Sequence, residues 1–144
     1  MTSVFDVAKY ILEQKGPMST WKLQKLCYYS QAWSLAWGDG ALFPEEFQAW
    51  SNGPVCRPLF LQHQGRYRIG AGDLSVGDSS VLSDLQKEDI DIILRDYGDK
   101  EAYWLREQTH QEAPWIEARN GLPDGVSSSA IITQDAMGAY YGSL

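Results

Sequence analysis

The sequence predicts a mainly α protein: a compact single-domain bundle of six to seven helices around a central apolar helix at about residues 19–37, with at most one small antiparallel β element. Three observations predict it. Apolar residues recur at helical spacing along most of the chain. The periodic segments open at Ser, Thr, Asp or Pro and close at Gly, which is how helices are punctuated. The 144 residues, 44% apolar and 22% charged, suffice for one domain with one real core. At this size roughly two-thirds of the unfolded surface can be buried without help from disulfides or metals.

The first helix is expected at Val4–Gln14, where Phe5, Ala8, Ile11 and Leu12 form a stripe that Gly16-Pro17 ends. Ser19 or Thr20 caps the second. Leu23, Leu26, Cys27, Ser30, Trp33 and Trp37 make one of its faces, and Trp21, Tyr28, Tyr29, Ala32, Leu35 and Ala36 cover much of the rest. A helix apolar around most of its circumference is packed by neighbours on several sides. Phe47 and Ala49 alternate with Gln48 and Trp50 as in a short strand, and Ser51-Asn52-Gly53-Pro54 is a turn. Pro54 or Pro58 opens a short helix through Val55, Leu59 and Phe60, after which Arg66–Ile69 supplies a second strand for the first. Gly70–Ser80 and Gly121–Ser129 read as loops.

In the second half, Ser83 or Asp84 caps a helix with Ile90, Ile93, Leu94 and Tyr97 on one face, ended by Gly98. Asp99 caps the next, which carries Ala102, Leu105 and Thr109. Pro114 opens a helix through Arg119 that Gly121 stops, and Thr133 caps a last one through Met137, Tyr140 and Tyr141.

Charge narrows the function. Residues 1–72 hold seven basic and five acidic side chains, residues 73–144 five basic and fourteen acidic, for a net charge of -7. Such a surface repels phosphate and argues against a nucleic-acid partner, while it can speed the approach of a basic protein. Mean hydropathy is -0.36. No stretch approaches the roughly 20 apolar residues of a membrane helix, and Met1–Tyr10 lacks a signal-peptide pattern. A cytoplasmic protein with no membrane partner is the expectation.

Little catalytic chemistry is visible. No Gly-rich loop follows a strand and opens a helix, and no G-x-S-x-G elbow occurs. Cys27 and Cys56 with His63 and His110 lack the short spacing of a zinc clamp, and in the cytoplasm the two thiols are reduced. Cys27 sits on an apolar helix face, and Cys56 has only the neighbouring Arg57 to activate it. His110 ends one helix and precedes another, where the helix dipole accounts for it; His63 reads as a surface residue. No enzyme, cofactor or metal is expected. Six Trp and eight Tyr stand out. Trp50, Trp104 and Tyr141 need not all fit the core, so an exposed aromatic patch suited to a protein partner is expected.

Three blocks of sequence carry a resemblance. Lys22–Trp33 (KLQKLCYYSQAW), the run from Leu42-Phe43 to Phe47–Val55 (FQAWSNGPV), and Thr109–Trp115 (THQEAPW) with Ala118-Arg119 resemble, in order and spacing, the blocks of the Panacea domain family, also called SocA-like or phage-associated GepA-like. Cys27 and Ser30 stand where that pattern has Leu and Ala. The resemblance implies a largely helical antitoxin of a bacterial or phage toxin–antitoxin system, spanning residues 1–144 as one domain. It implies that the partner is a cognate protein toxin neutralised by direct binding. In an adaptor variant the toxin is delivered to a cellular protease, and a phage protein binding another host factor is the further alternative. The expected partner-binding residues are Trp50, Asn52, Arg57, His110 and Trp115, in the turn at 50–57 and the corner at 110–115. Against this, Gly53-Pro54 and Pro114 can simply shape turns, with Trp50 and Trp115 plugging the core above them.

Overall fold

The computed structural model describes residues 2–144. In chain order its elements are α1 (Val4–Lys15), β1 (Met18–Ser19), α2 (Thr20–Ala36), β2 (Phe47–Trp50), β3 (Gly53–Cys56), α3 (Arg57–His63), β4 (Arg68–Ile69), α4 (Asp84–Tyr97), α5 (Ala102–Thr109), α6 (Ala113–Arg119), β5 (Ile131–Ile132) and α7 (Gln134–Gly142). Helix α2 is the centre: every residue from Leu23 to Ala32 is buried, and α1, α4, α5, α7 and β3 pack around it. None of the helices is long and apolar enough to cross a membrane, among the described residues.

The caps read from the sequence form as hydrogen bonds. Ser19 Oγ accepts from the Lys22 amide at 3.1 Å, and Thr133 Oγ1 from the Ala136 amide at 3.1 Å. Ser83 and Gln86 close a reciprocal box at the start of α4. Helix α5 starts later than expected, at Ala102 behind Glu101, because Asp99 turns instead to Lys15 at 3.1 Å. Helix α6 ends at Asn120, which takes the left-handed conformation (φ 50°) one residue before Gly121.

The β structure exceeds one small element. Two antiparallel sheets are present, a pair β1–β4 and a triplet in the order β3-β2-β5. Arg68–Ile69 pairs with Met18–Ser19, not with Phe47–Trp50, and Val55 lies in a strand, not in a helix. The cause is length: bridges of two residues, such as β1, β4 and β5, are too short to show an alternating pattern. Tyr141 also belongs to the core, 1% exposed, whereas Trp104 is on the surface.

A helix buried on every side needs polar partners for the irregular chain that covers it. Two glutamines on α2 provide them. Gln24 takes the Cys56 amide (2.8 Å) on its carbonyl and donates to the Cys56 carbonyl (3.2 Å). Two turns further on, Gln31 accepts from the Leu42 amide (2.7 Å) and donates to the Phe43 carbonyl (2.8 Å). Gln24 therefore stands in for a neighbouring strand at one residue of passing backbone, and Gln31 at two adjacent ones. Glu112 does similar work between helices: its carboxylate accepts from the hydroxyls of Tyr29 (2.7 Å) and Tyr141 (2.6 Å) and from the Gln108 amide (3.2 Å). Lys9 and Asp6 of α1 hold the 70–80 loop through the carbonyls of Ala71 and Leu74 and the amide of Asp78.

Asp89 of α4 is less well served. It is 5% exposed, and one of its oxygens has no partner among the described residues. Burial, and then the Asp39 carboxyl beside it, push its pKa up to about 7. An unfolded Asp ionises near pH 4, so between about pH 4 and pH 7 the folded state holds the extra proton and stability falls as pH rises. Asp89→Asn removes that penalty. Urea unfolding is expected to show a gain on the order of 1 kcal/mol at pH 8 and none at pH 4.

Candidate functional site

Strands β2 and β3 form a hairpin, with pairs running from Phe47↔Cys56 to Trp50↔Gly53 and Ser51-Asn52 as its turn. Ala49 directs its amide to the Ala130 carbonyl (2.8 Å) and its carbonyl to the Arg119 guanidinium (2.8 Å), both away from β3. Pro54, opposite Ala49, therefore leaves no ladder bond unmade.

The corner between α5 and α6 braces this hairpin from behind. The Trp115 indole donates to the Trp50 carbonyl at 2.9 Å. Its ring stacks on His110, with centroids 3.8 Å apart, and carries the Arg119 guanidinium 4.7 Å from its centroid. Arg119 also donates to the carbonyls of Pro123, Asp124 and Val126, tying down the serine-rich loop. With Trp115 only 2% exposed, the corner acts as a support.

Hollows lie on both sides of the turn. One is a cleft of about 510 Å³ lined by Gln48, Trp50, Ser51, Arg57 and Ser127–Ser129. Trp50 keeps its indole on Gln48 Oε1 (2.7 Å) and packs edge-on against Phe60. Arg57 is exposed at the start of α3 and makes no ion pair among the described residues. A further hollow of about 280 Å³ beyond Arg57 continues over Glu46, Pro58, Leu61 and Ile131.

The other hollow, of about 150 Å³, is lined by Trp21, Lys25, Asn52, Ala102, Tyr103 and Arg106. Lys25 is 1% exposed, its Nζ lies 5.5 Å from the Trp21 ring centroid, and that Nζ has no hydrogen-bond partner among the described residues. Burial, and then the Arg106 guanidinium, push the ammonium down to about 7. The hairpin closes over this side chain at Gly53, whose φ of +104° favours glycine. A Cβ there would lie 2.5 Å from Lys25 Cε, so glycine also makes room for the lysine.

Other ionisable groups lie in the interior too, and His110 Nε2, Asp89 Oδ2 and Arg119 Nε likewise have no hydrogen-bond partner among the described residues. His63 is buried, not on the surface, because its Nε2 meets the Gln24 amide at 3.0 Å. His110 is held below its usual pKa by burial and then by Arg106. Both cysteines are free and buried; burial pushes the Cys56 thiol up to about 12, outweighing any effect of Arg57, and raises Cys27 too. No three His, Cys, Asp or Glu side chains gather as a metal site among the described residues.

The five residues singled out in the sequence thus all lie on or behind one hairpin. Trp50 and Arg57 share a cleft, Asn52 edges the opposite pocket, and Trp115 and His110 support the turn from below. Lys25 and Arg106 were missed. The available signal was a lysine within a helix that has no solvated side.

The mainly helical fold thus presents a hairpin that is braced from behind and bordered by two hollows. The chain belongs to the family of SocA-like antitoxins that carry the Panacea domain: the family's model matches residues 23–116. That segment runs from within α2 to within α6 and holds the hairpin, Lys25 and Arg106. No curated protein and no solved structure matches the chain.

An unfolded lysine stays charged to about pH 10, so between about pH 7 and pH 10 the unfolded state binds the extra proton and stability rises with pH. Lys25→Met removes the buried amine while keeping most of its volume. Urea unfolding is expected to show this variant more stable at pH 7, by on the order of 2 kcal/mol, with the gain shrinking toward pH 10. A less stable variant at pH 7 would mean that the amine has a partner.

Proposed function

We propose that this chain neutralises a protein toxin by binding it directly, with the surface flanking the β2–β3 hairpin facing the toxin. The observation that carries this reading is the pair of hollows on either side of one braced turn, edged by Trp50, Asn52 and Arg57. Trp and Arg set in hollows are the usual anchors of protein interfaces. A turn already fixed by Trp115 and Arg119 gives up little freedom on binding, which favours affinity.

A standard interface of roughly 1,600 Å² would extend past the hollows. Exposed Tyr103 lies toward one side, and Leu61 and Ile131 toward the other. Inhibition requires only that this surface cover the toxin's active site or hold the toxin in an inactive shape. The protein then works as a single cytoplasmic binding domain without catalysis or cofactor, and its acidic second half favours a toxin with a basic face.

The test is capture of partners by the tagged chain from its native host, read by mass spectrometry. One stoichiometric protein, toxic alone and harmless when expressed with this chain, is the expected result. Protease subunits recovered with it would indicate delivery for degradation, and a housekeeping protein in its place would overturn the toxin reading. Arg57→Glu reverses an exposed, unpaired charge. It is expected to weaken the complex by about 30-fold or more while leaving the unfolding midpoint unchanged; undiminished neutralisation would remove Arg57 from the interface.

A further inference from the structure

We infer that the pocket floored by Lys25 is a carboxylate site that receives an aspartate or glutamate side chain of the protein partner. The identity of the partner rests on the antitoxin reading; the pocket stands on its own geometry. Lys25 Nζ is buried without a hydrogen bond, which is rare for an amine, since buried charges are almost always paired. Its surroundings supply no anion. On its own helix it meets the Trp21 ring, and the hairpin brings Asn52 and Gly53 over it. Helix α5 contributes Arg106 and Thr109, while His63 of α3 and His110 are the other ionisable groups within its electrostatic reach. The nearest carboxylate of α5, Glu107, is bonded at 2.8 Å to Arg106 Nη1.

Shape and size select the occupant. A hollow of about 150 Å³ is well below the roughly 300–1,000 Å³ of sites for free small molecules, but suits one side chain. Trp21, Ala102 and Tyr103 offer apolar walls for methylene groups. Lys25 below, with Asn52 and the remaining N–H groups of Arg106 at the sides, offers donors for two carboxylate oxygens. A single carboxylate also fits the charge of the whole chain, whereas a polyphosphate would meet the field of a protein at -7. The glycine at position 53 keeps this arrangement possible, because a side chain there would collide with Lys25.

The test uses the isotopically labelled full chain and glutamate capped as its N-acetyl, N-methylamide derivative. NMR titration is expected to give saturable shifts at Lys25 Cε, the Asn52 amide and the Trp21 indole. No such shifts are expected with capped glutamine, or in Lys25→Met, which removes a buried charge and so leaves the fold intact. Equal shifts from capped glutamine, or shifts that persist in Lys25→Met, would overturn the site. Acetate or inorganic phosphate acting as strongly at equal concentration would overturn its assignment to a side chain. With the captured toxin, Lys25→Met and Arg106→Gln are each expected to weaken binding at least about tenfold, and one toxin Asp or Glu should lose its effect when Lys25 is absent. A toxin bound with unchanged affinity by Lys25→Met would overturn the proposal and leave the antitoxin reading standing. Capped glutamate bound at Lys25, with no toxin captured, would support the pocket and overturn the antitoxin reading.

Discussion

The structure depends on the burial of the middle of α2. Ten consecutive residues, Leu23 to Ala32, lie out of water. The helix satisfies its own backbone, but the segments pressed against it do not satisfy theirs. Gln24 and Gln31, two turns apart, answer that need with both ends of their amides, gripping the backbone at Cys56 and at Leu42-Phe43. A buried amide with donor and acceptor both engaged contributes stability and, more importantly, selects one register, because any slip leaves polar groups orphaned in the core. The hairpin is placed by this grip: β3 ends at Cys56, the residue that Gln24 holds.

Around that axis the protein uses aromatic hydroxyls and one carboxylate where most cores use only hydrocarbon. Tyr28, Tyr29 and Tyr141 pack edge to face, and Tyr29 and Tyr141 aim their hydroxyls at Glu112. Burial raises the Glu112 pKa, and the bonds from Tyr141, Tyr29 and Gln108 counter that rise. The block Thr109–Trp115 is thereby explained residue by residue: Thr109 is buried, His110 stacks on Trp115, Glu112 collects hydroxyls, Pro114 opens α6 and Trp115 holds the hairpin. Each of these five has a structural reason.

Beside these satisfied groups, Lys25 Nζ lacks a partner, as do Asp89 Oδ2, His110 Nε2 and Arg119 Nε among the described residues. The same helix that places two glutamines on backbone partners places an ammonium under Gly53 with no partner. The Lys25 amine borders the small hollow beside the hairpin, which is where the proposed carboxylate would meet it.

Most of the helices were legible in the sequence, and so were their caps at Ser19, Ser83 and Thr133, because a cap and a stripe are local facts about spacing. The central role of α2 followed as well, since a helix without a polar arc has to be enclosed. The hairpin region could be singled out from its Trp, Asn and Arg content. Tertiary structure alone decided the rest. Two-residue strands acquire meaning only beside a partner, so β1–β4 and β2–β5 were invisible. His63 looked solvated between two glutamines until Gln24 met it across 39 positions of chain. Trp115 and Arg119 became supports only once Trp50 and Ala49 lay against them, 65 and 70 positions away. The sequence by itself determined most of the helices and which helix is enclosed, because those depend on periodicity. Which polar groups find partners, and which single lysine does not, depends on chain segments far apart in sequence, and only the folded structure decides that.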